Sequence, residues 1–375
     1  MSLFDDALAR FDKRAFRRWL PAYVGEPLPP RPDPSRPVHL WVAVADHFEP
    51  RWGTADPEVG RHRMKAWAAK YPLLASRHTD SSGRPVQHTF YYAIEEYDPH
   101  DADLLAGMQR DGFGEVEVHH HHHADTAASF GEMLEAALEV LSTRHGLMRR
   151  DAGGRLRFSF VHGNWALANS HPQGRYCGVT GEIDVLLRAG CDSDMTMPSA
   201  PDATQARRIN RIYYAHDRAD GRAIDDGVDA VRGQPANAGL LMVPGPLGFN
   251  LQARKMGVVP RIENGALDGD VSRIEPAKRV AAWLRLAPRL PGEPNHLFVK
   301  LHAHGTLPGS DSLFLDAEDY LDRMCTYLEG HFDDGVAYVL HYATAADLVT
   351  AIHAIEDGHD PVERVAERRR TQRYG

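Results

Sequence analysis

The sequence predicts an α/β fold with parallel strands, and three observations predict it. Short apolar runs of strand character alternate with helix-period patterns, several of the runs end in Asp or His, and no internal repeat divides the chain. The first strand covers residues 39–45 and stops at Asp46-His47-Phe48-Glu49-Pro50, where polar side chains replace apolar ones. A helix follows over 60–77, a second strand over 86–94 and a third over 115–118. The helix after the third strand has the clearest signals. Asp125 or Thr126 is its cap, Phe130, Met133, Leu134, Ala137, Leu138 and Leu141 form its buried face, and it ends near Gly146. Further strands are expected at 156–161, 296–302 and 336–341, with helices at 316–330 and 344–357 and a basic helical tail at 364–373.

Two segments stand apart. Residues 1–37 form a lead-in: an amphipathic, basic helix over 3–20, then a Pro-rich stretch over 27–37 that cannot join a sheet ladder. Packing on the domain exterior is the simplest role for that helix, and contact with a membrane surface is the alternative. Residues 38–375 form one catalytic domain, interrupted at about 197–295 by a stretch rich in Pro, Gly, Asp and Asn. Its periodic pieces are short, at 203–214 and 277–286. An irregular connection of that length suggests a cover over the active face that sets substrate choice, or else a small packed subdomain.

Composition narrows the function classes. The 375 residues are 43% hydrophobic and 25% charged, the balance of a soluble globular chain with a substantial core. With 43 Lys+Arg against 52 Asp+Glu the formal charge is −9, which excludes a general electrostatic attraction to nucleic acid. Three cysteines without CxxC spacing encode neither a disulfide framework nor a thiolate zinc site, and suit a reducing compartment. No run reaches the roughly 18 apolar residues of a membrane span, and the start lacks the order of a signal peptide, so a cytoplasmic location is expected. Nothing in the sequence fixes the oligomeric state.

The 22 histidines, five of them consecutive at 119–123, direct attention to metal chemistry. In an extended chain Glu117, His119 and His121 share one face, whereas a turn would bring His119 and His123 together; either pair can chelate. Asp46 completes a set of two histidines and one carboxylate, drawn from Asp46, His119, His121 and His123. Neutral imidazole suits Zn²⁺, with Ni²⁺, Co²⁺ or Fe²⁺ as alternatives. Other strand ends carry His162-Gly163-Asn164-Trp165 and His302-Ala303-His304-Gly305, which makes His162, His302 and His304 catalytic candidates. Tyr91, Tyr92, Trp165, Tyr213 and Tyr214 are candidate sugar-stacking rings or core residues, and Asn164, Trp165 and Tyr91 are assigned to substrate.

The order of these motifs resembles the NodB-type polysaccharide deacetylases, carbohydrate esterase family four. Val44-Ala45-Asp46-His47-Phe48 is similar to their first strand end, His88-Thr89-Phe90-Tyr91 to their second strand, the run 115–123 to their metal-binding segment, and Leu301-His302 to their last motif. The resemblance covers about residues 38–350, apart from the interruption. It implies a deformed (β/α)7 barrel, a metal held by Asp46, His119 and His123, and His302 as acid toward the leaving group of an acetylated sugar. The chain departs from the pattern at Ala45, where the family has its base. Glu49 or Glu117 is the replacement, or a shifted frame makes Asp46 the base and His47 the ligand. The expected function is a metal-dependent, deacetylase-like hydrolase acting on a polysaccharide or sugar precursor. A glycoside hydrolase and a catalytically silent carbohydrate-binding barrel are the alternatives.

Overall fold

The computed structural model describes residues 15–374, apart from Leu28 and Gly178. The lead-in helix expected over 3–20 lies outside the described residues up to position 14. Its remainder belongs to α1 (Phe16–Gly25), which packs on the domain: Trp19 is buried against Phe249, and Arg18 pairs with Asp225 at 2.7 Å.

Helices and strands then alternate as the pattern predicts: β1 (Val38–Phe48), α2 (Pro57–Ala75), β2 (His88–Ala93), α3 (Pro99–Arg110), β3 (Gly114–His120), α4 (Ala127–His145), β4 (Leu156–His162), α5 (Glu182–Ala189), β5 (Cys191–Asp194), β6 (Leu240–Met242), α6 (Pro276–Leu286), β7 (His296–Ala303), α7 (Tyr320–Phe332), β8 (Tyr338–Ala343), α8 (Ala345–Glu356) and α9 (Pro361–Thr371). Local chemistry sets the helix starts. Asp56, Asp98 and Asp360 each accept an amide N–H of the first turn and precede a proline at the first helical position. Thr126 forms a capping box with Ser129, and α4 ends on Gly146 in the left-handed conformation.

The result is a mixed α/β fold with a mostly parallel central sheet in the order β7-β1-β2-β3-β4-β5-β6. One edge of β1 is divided: β8 pairs with residues Val38 to Ala43, and β2 takes over from Ala45 to Phe48. The sheet curls on itself. Lys300 of β7 reaches across to the other end and donates to the carbonyls of Met195 and Met197, just beyond β5, at 2.7 Å each. Burial pushes this ammonium down to about 7.

Residues 197–295 are not a simple insertion. They supply β6 to the parallel sheet, with Tyr213–Ala215 antiparallel beside it, and a ribbon of Gly248–Lys255 and Val259–Glu263. The periodic piece at 203–214 forms turns and part of a strand, whereas that at 277–286 is α6. A fully buried strand of three residues has no alternation to read, which is why β6 escapes the pattern. The polar β5, Cys-Asp-Ser-Asp, escapes it for the opposite reason.

Side chains of β1 divide by parity. Leu40, Val42 and Val44 pack in the larger core under the helices, and Trp41, Ala43 and Ala45 pack in the second core with Tyr91, Val161 and Phe298. At the opposite end from the site, α9 is fastened by Asp347. This fully buried carboxylate bonds to Arg84 at 2.5 Å, Arg368 at 2.6 Å and Arg369 at 2.9 Å. Burial alone would raise Asp347, but the three guanidiniums outweigh it and hold the carboxyl well below its ordinary range. Its stabilising contribution is therefore complete above the unfolded value of about 3.9 and is lost as pH falls toward the folded value. Removing one partner of such a cluster strands the others, so Asp347→Ala is expected to lower stability by about 3–5 kcal/mol at pH 7 in urea unfolding. A loss below ~1 kcal/mol would show that the cluster does not fasten α9.

Candidate functional site

The ends of β1, β3, β4 and β7 meet around Glu49. His119 Nδ1 donates to the Val161 carbonyl at 3.0 Å, so the lone pair of its neutral ring lies on Nε2, which is 2.9 Å from Glu49 Oε1. His121 Nε2 lies 3.1 Å from the same oxygen, and its Nδ1 is 2.5 Å from Glu95 Oε1. His47 packs against His119 and His304 with ring centroids 4.8 and 4.7 Å away, and its buried Nδ1 has no hydrogen-bond partner. His304 Nδ1 is 3.0 Å from Asp268, which also accepts the His304 amide.

These contacts separate the protonation states. Burial works to raise Glu49, but its bonds to His119 and His121 prevail and hold it at about 2. Burial works to lower His121, yet Glu49 and Glu95 bring it up to about 10. His47 is pushed well below its ordinary value by burial and then by the neighbouring imidazoles. His302 is pushed down to about 3 by burial and then by Lys300. His304 goes the other way: burial is outweighed by Asp268, and its value is raised.

Among the described residues, the group at this end whose donor atoms converge within 4.8 Å is His47, Glu49 and His119. The set of Asp46, His119 and His123 expected from sequence is not assembled. Asp46 shares the face of Val44 and Phe48, opposite that of His47. Its oxygens are taken by His88 Nε2 and the Gly305 amide, each at 2.7 Å. His123 is exposed and accepts the Tyr176 amide. Of the two pairings open in the histidine run, the chain adopts the extended one, with His119 and His121 both on Glu49.

Other candidates scatter. Glu117 is buried on Arg149 at 3.0 Å and the Ser159 amide at 2.6 Å, away from Glu49. Tyr91 is fully buried with its hydroxyl on Ser159, and Tyr92, Tyr213 and Tyr214 are core, so none of them can stack on a sugar. His162 joins a separate buried group. Asn164, Trp165, His121 and His304 do line the cavity beside Glu49, about 400 Å³, together with Trp52, Tyr176 and Asp202. Trp52, Tyr176, Asp202 and Asp268 carried no motif. Glu49 had a legible signal in its spacing of two from His47, which puts both on one face of an extended strand. Gly163 makes the approach possible: a Cβ there would sit 2.4 Å from the His121 ring.

No family model and no curated protein matches the chain. Among solved structures it is similar to the 4-alpha-glucanotransferase from Thermococcus litoralis, at 12% identity and a TM-score of 0.40. The match covers 83% of this chain and 40% of that one. No helix of the described residues is long and apolar enough to cross a membrane.

The His304–Asp268 pair yields a direct check. With His304 raised by Asp268, Asp268→Asn should move the His304 titration downward, because burial is then opposed only by the charges of Glu49 and Asp46. Side-chain NMR of the two proteins measures this, and an unchanged titration would show that Asp268 does not govern the ring.

Proposed function

We propose that the protein is a metal-dependent hydrolase of the deacetylase-like kind acting on a carbohydrate, on a deformed (β/α)7 barrel of the NodB type. The observation that carries the reading is the contact of His119 with Glu49. Its Nδ1 proton is committed to Val161, which leaves Nε2, 2.9 Å from a carboxylate oxygen, as the nitrogen that would turn to a cation. An imidazole nitrogen and a carboxylate oxygen at that distance can share a cation in place of the proton between them, and the unpartnered Nδ1 of His47 adds a third donor. Residues His47, Glu49 and His119 fit a borderline-soft dication such as Zn²⁺. A bound dication would polarise an acetyl carbonyl and acidify a water.

The chain's own residues supply the rest. His304 is the proton-carrying group for the leaving amine or alcohol, because Asp268 keeps it basic while His302 is too depressed to hold a proton near neutrality. Asp46 is a positioning residue: it fixes the Gly305 amide and so the turn that presents His304. Ala45 is buried in the second core and cannot serve as a base. Trp52, Trp165 and Tyr176 offer ring faces to a sugar across the cavity mouth. His121, raised to about 10, puts a positive charge beside Glu49, so cation affinity is expected to rise with pH as that proton leaves.

The test is acetate release from a panel of acetylated sugars and sugar nucleotides. Wild type should lose activity on chelation and regain it with Zn²⁺, while Glu49→Gln and His304→Ala should each lower kcat by about 10²–10⁴-fold. Chelator-insensitive acetate release would refute the reading. Release of reducing sugar without acetate would favour glycosidic cleavage, and saturable sugar binding without turnover would favour a silent barrel.

A further inference from the structure

The even-numbered imidazoles of the histidine run lead away from the cavity. His122 lies against Phe130 with ring centroids 4.7 Å apart and meets His162 at 4.5 Å. Its Nε2 is 3.1 Å from Glu182 Oε1, while Cys177 Sγ is 3.1 Å from Glu182 Oε2. His162 Nε2 stands 3.8 Å from Oε1. All four residues are buried, and their donor atoms lie within 4.8 Å of one another.

Two features point to a ligand rather than to packing alone. His162 Nδ1 accepts the amides of Asn164 at 3.1 Å and Ala166 at 3.4 Å, so the ring proton sits on Nε2. That nitrogen is buried, aimed into the cluster, and has no hydrogen-bond partner. Leaving such a group unsatisfied is costly. The Nδ1 of His122 is likewise without a bond, yet lies 3.5 Å from Asp125 Oδ2. This is where an imidazole that ligates through Nε2 places its outer N–H, on a carboxylate.

We propose that His122 Nε2, Cys177 Sγ and the Glu182 carboxylate bind one divalent cation of the zinc type, with His162 Nε2–H donating to the water that completes a four-coordinate shell. The nitrogen, sulfur and oxygen donors match zinc. Loading releases the Cys177 thiol proton to solvent and transfers the His122 ring proton from Nε2 to Nδ1, toward Asp125. The thiolate and carboxylate then balance the two positive charges. Without a cation the thiol keeps its proton, because burial and the adjacent Glu182 both raise it. The ion would fasten the cavity wall, since Cys177 adjoins Tyr176 and Asn164 Nδ2 donates to the His122 carbonyl.

None of these ligands belongs to the group around Glu49, and that group contains no cysteine, so the two sites can be read separately. Cobalt(II) is the probe. Wild type should show thiolate-to-cobalt charge-transfer absorption in the near ultraviolet, Glu49→Gln should keep it, and Cys177→Ser should lose it together with one equivalent of bound metal. Zinc should raise the thermal midpoint of Glu49→Gln but not that of Glu49→Gln combined with Cys177→Ser. Failure of wild type to bind cobalt, cobalt bound without the band, or a Cys177→Ser protein that holds as much metal as wild type would each overturn the proposal. Should Cys177→Ser not fold by circular dichroism, the wild-type spectrum decides: the band upholds the site and its absence overturns it.

Discussion

Successive side chains of an extended chain point to opposite faces, and the organisation of this site follows from that constraint acting on β1 and β3 together. On β3 and the two residues beyond it, it sends His119 and His121 to Glu49 and sends His120 and His122 to the other side, where their rings lie parallel with centroids 5.3 Å apart. On β1 it separates His47 from Asp46. Five consecutive imidazoles therefore do not crowd one centre. Four of them divide between a group that opens on the cavity and a group sealed beneath the wall, with Glu95 holding His120 and His121 at the point of division, and His123 is exposed.

The alternation of strands and helices, the cap of α4 at Thr126 and its stop at Gly146 were legible because each rests on local chemistry that repeats along the chain. The missed elements lacked such marks: β5 is polar and β6 is three residues long. For the site, the histidine run, the strand-end positions and Glu49 as one of several candidate acids were visible, but which acid faces the histidines was not. Asp46 and Glu49 are both acids near the end of β1, and only the parity of the strand and the division of its edge between β8 and β2 decide which one faces His119. The group around Glu182 had no signature, since its donors at 122, 162, 177 and 182 are brought together by β3, β4 and the approach to α5.

Three buried carboxylates of the molecule are each paired with cationic or hydrogen-bonding side chains. Asp347 takes three arginines, Glu263 takes Arg279 and the Trp283 indole, and Glu49 takes two imidazoles. The first two sets are closed, with guanidiniums that never give up their protons. The set around Glu49 is built instead from imidazoles, which can give up a proton and take a cation in its place, and it opens on a cavity.

The wall of that cavity carries one more consequence. Trp165, Ala168, Asn169 and Tyr176 all have positive φ, between 52° and 66°, a conformation that side chains with a Cβ avoid in isolation. No local preference draws the segment into this shape. It is imposed by tethers to distant parts of the chain: the Ala168 amide on Glu182, the Ala168 carbonyl on the Arg222 amide, and the Tyr176 amide on His123. The contour of the wall is accordingly set by where Glu182, Arg222 and His123 are held rather than by its own sequence.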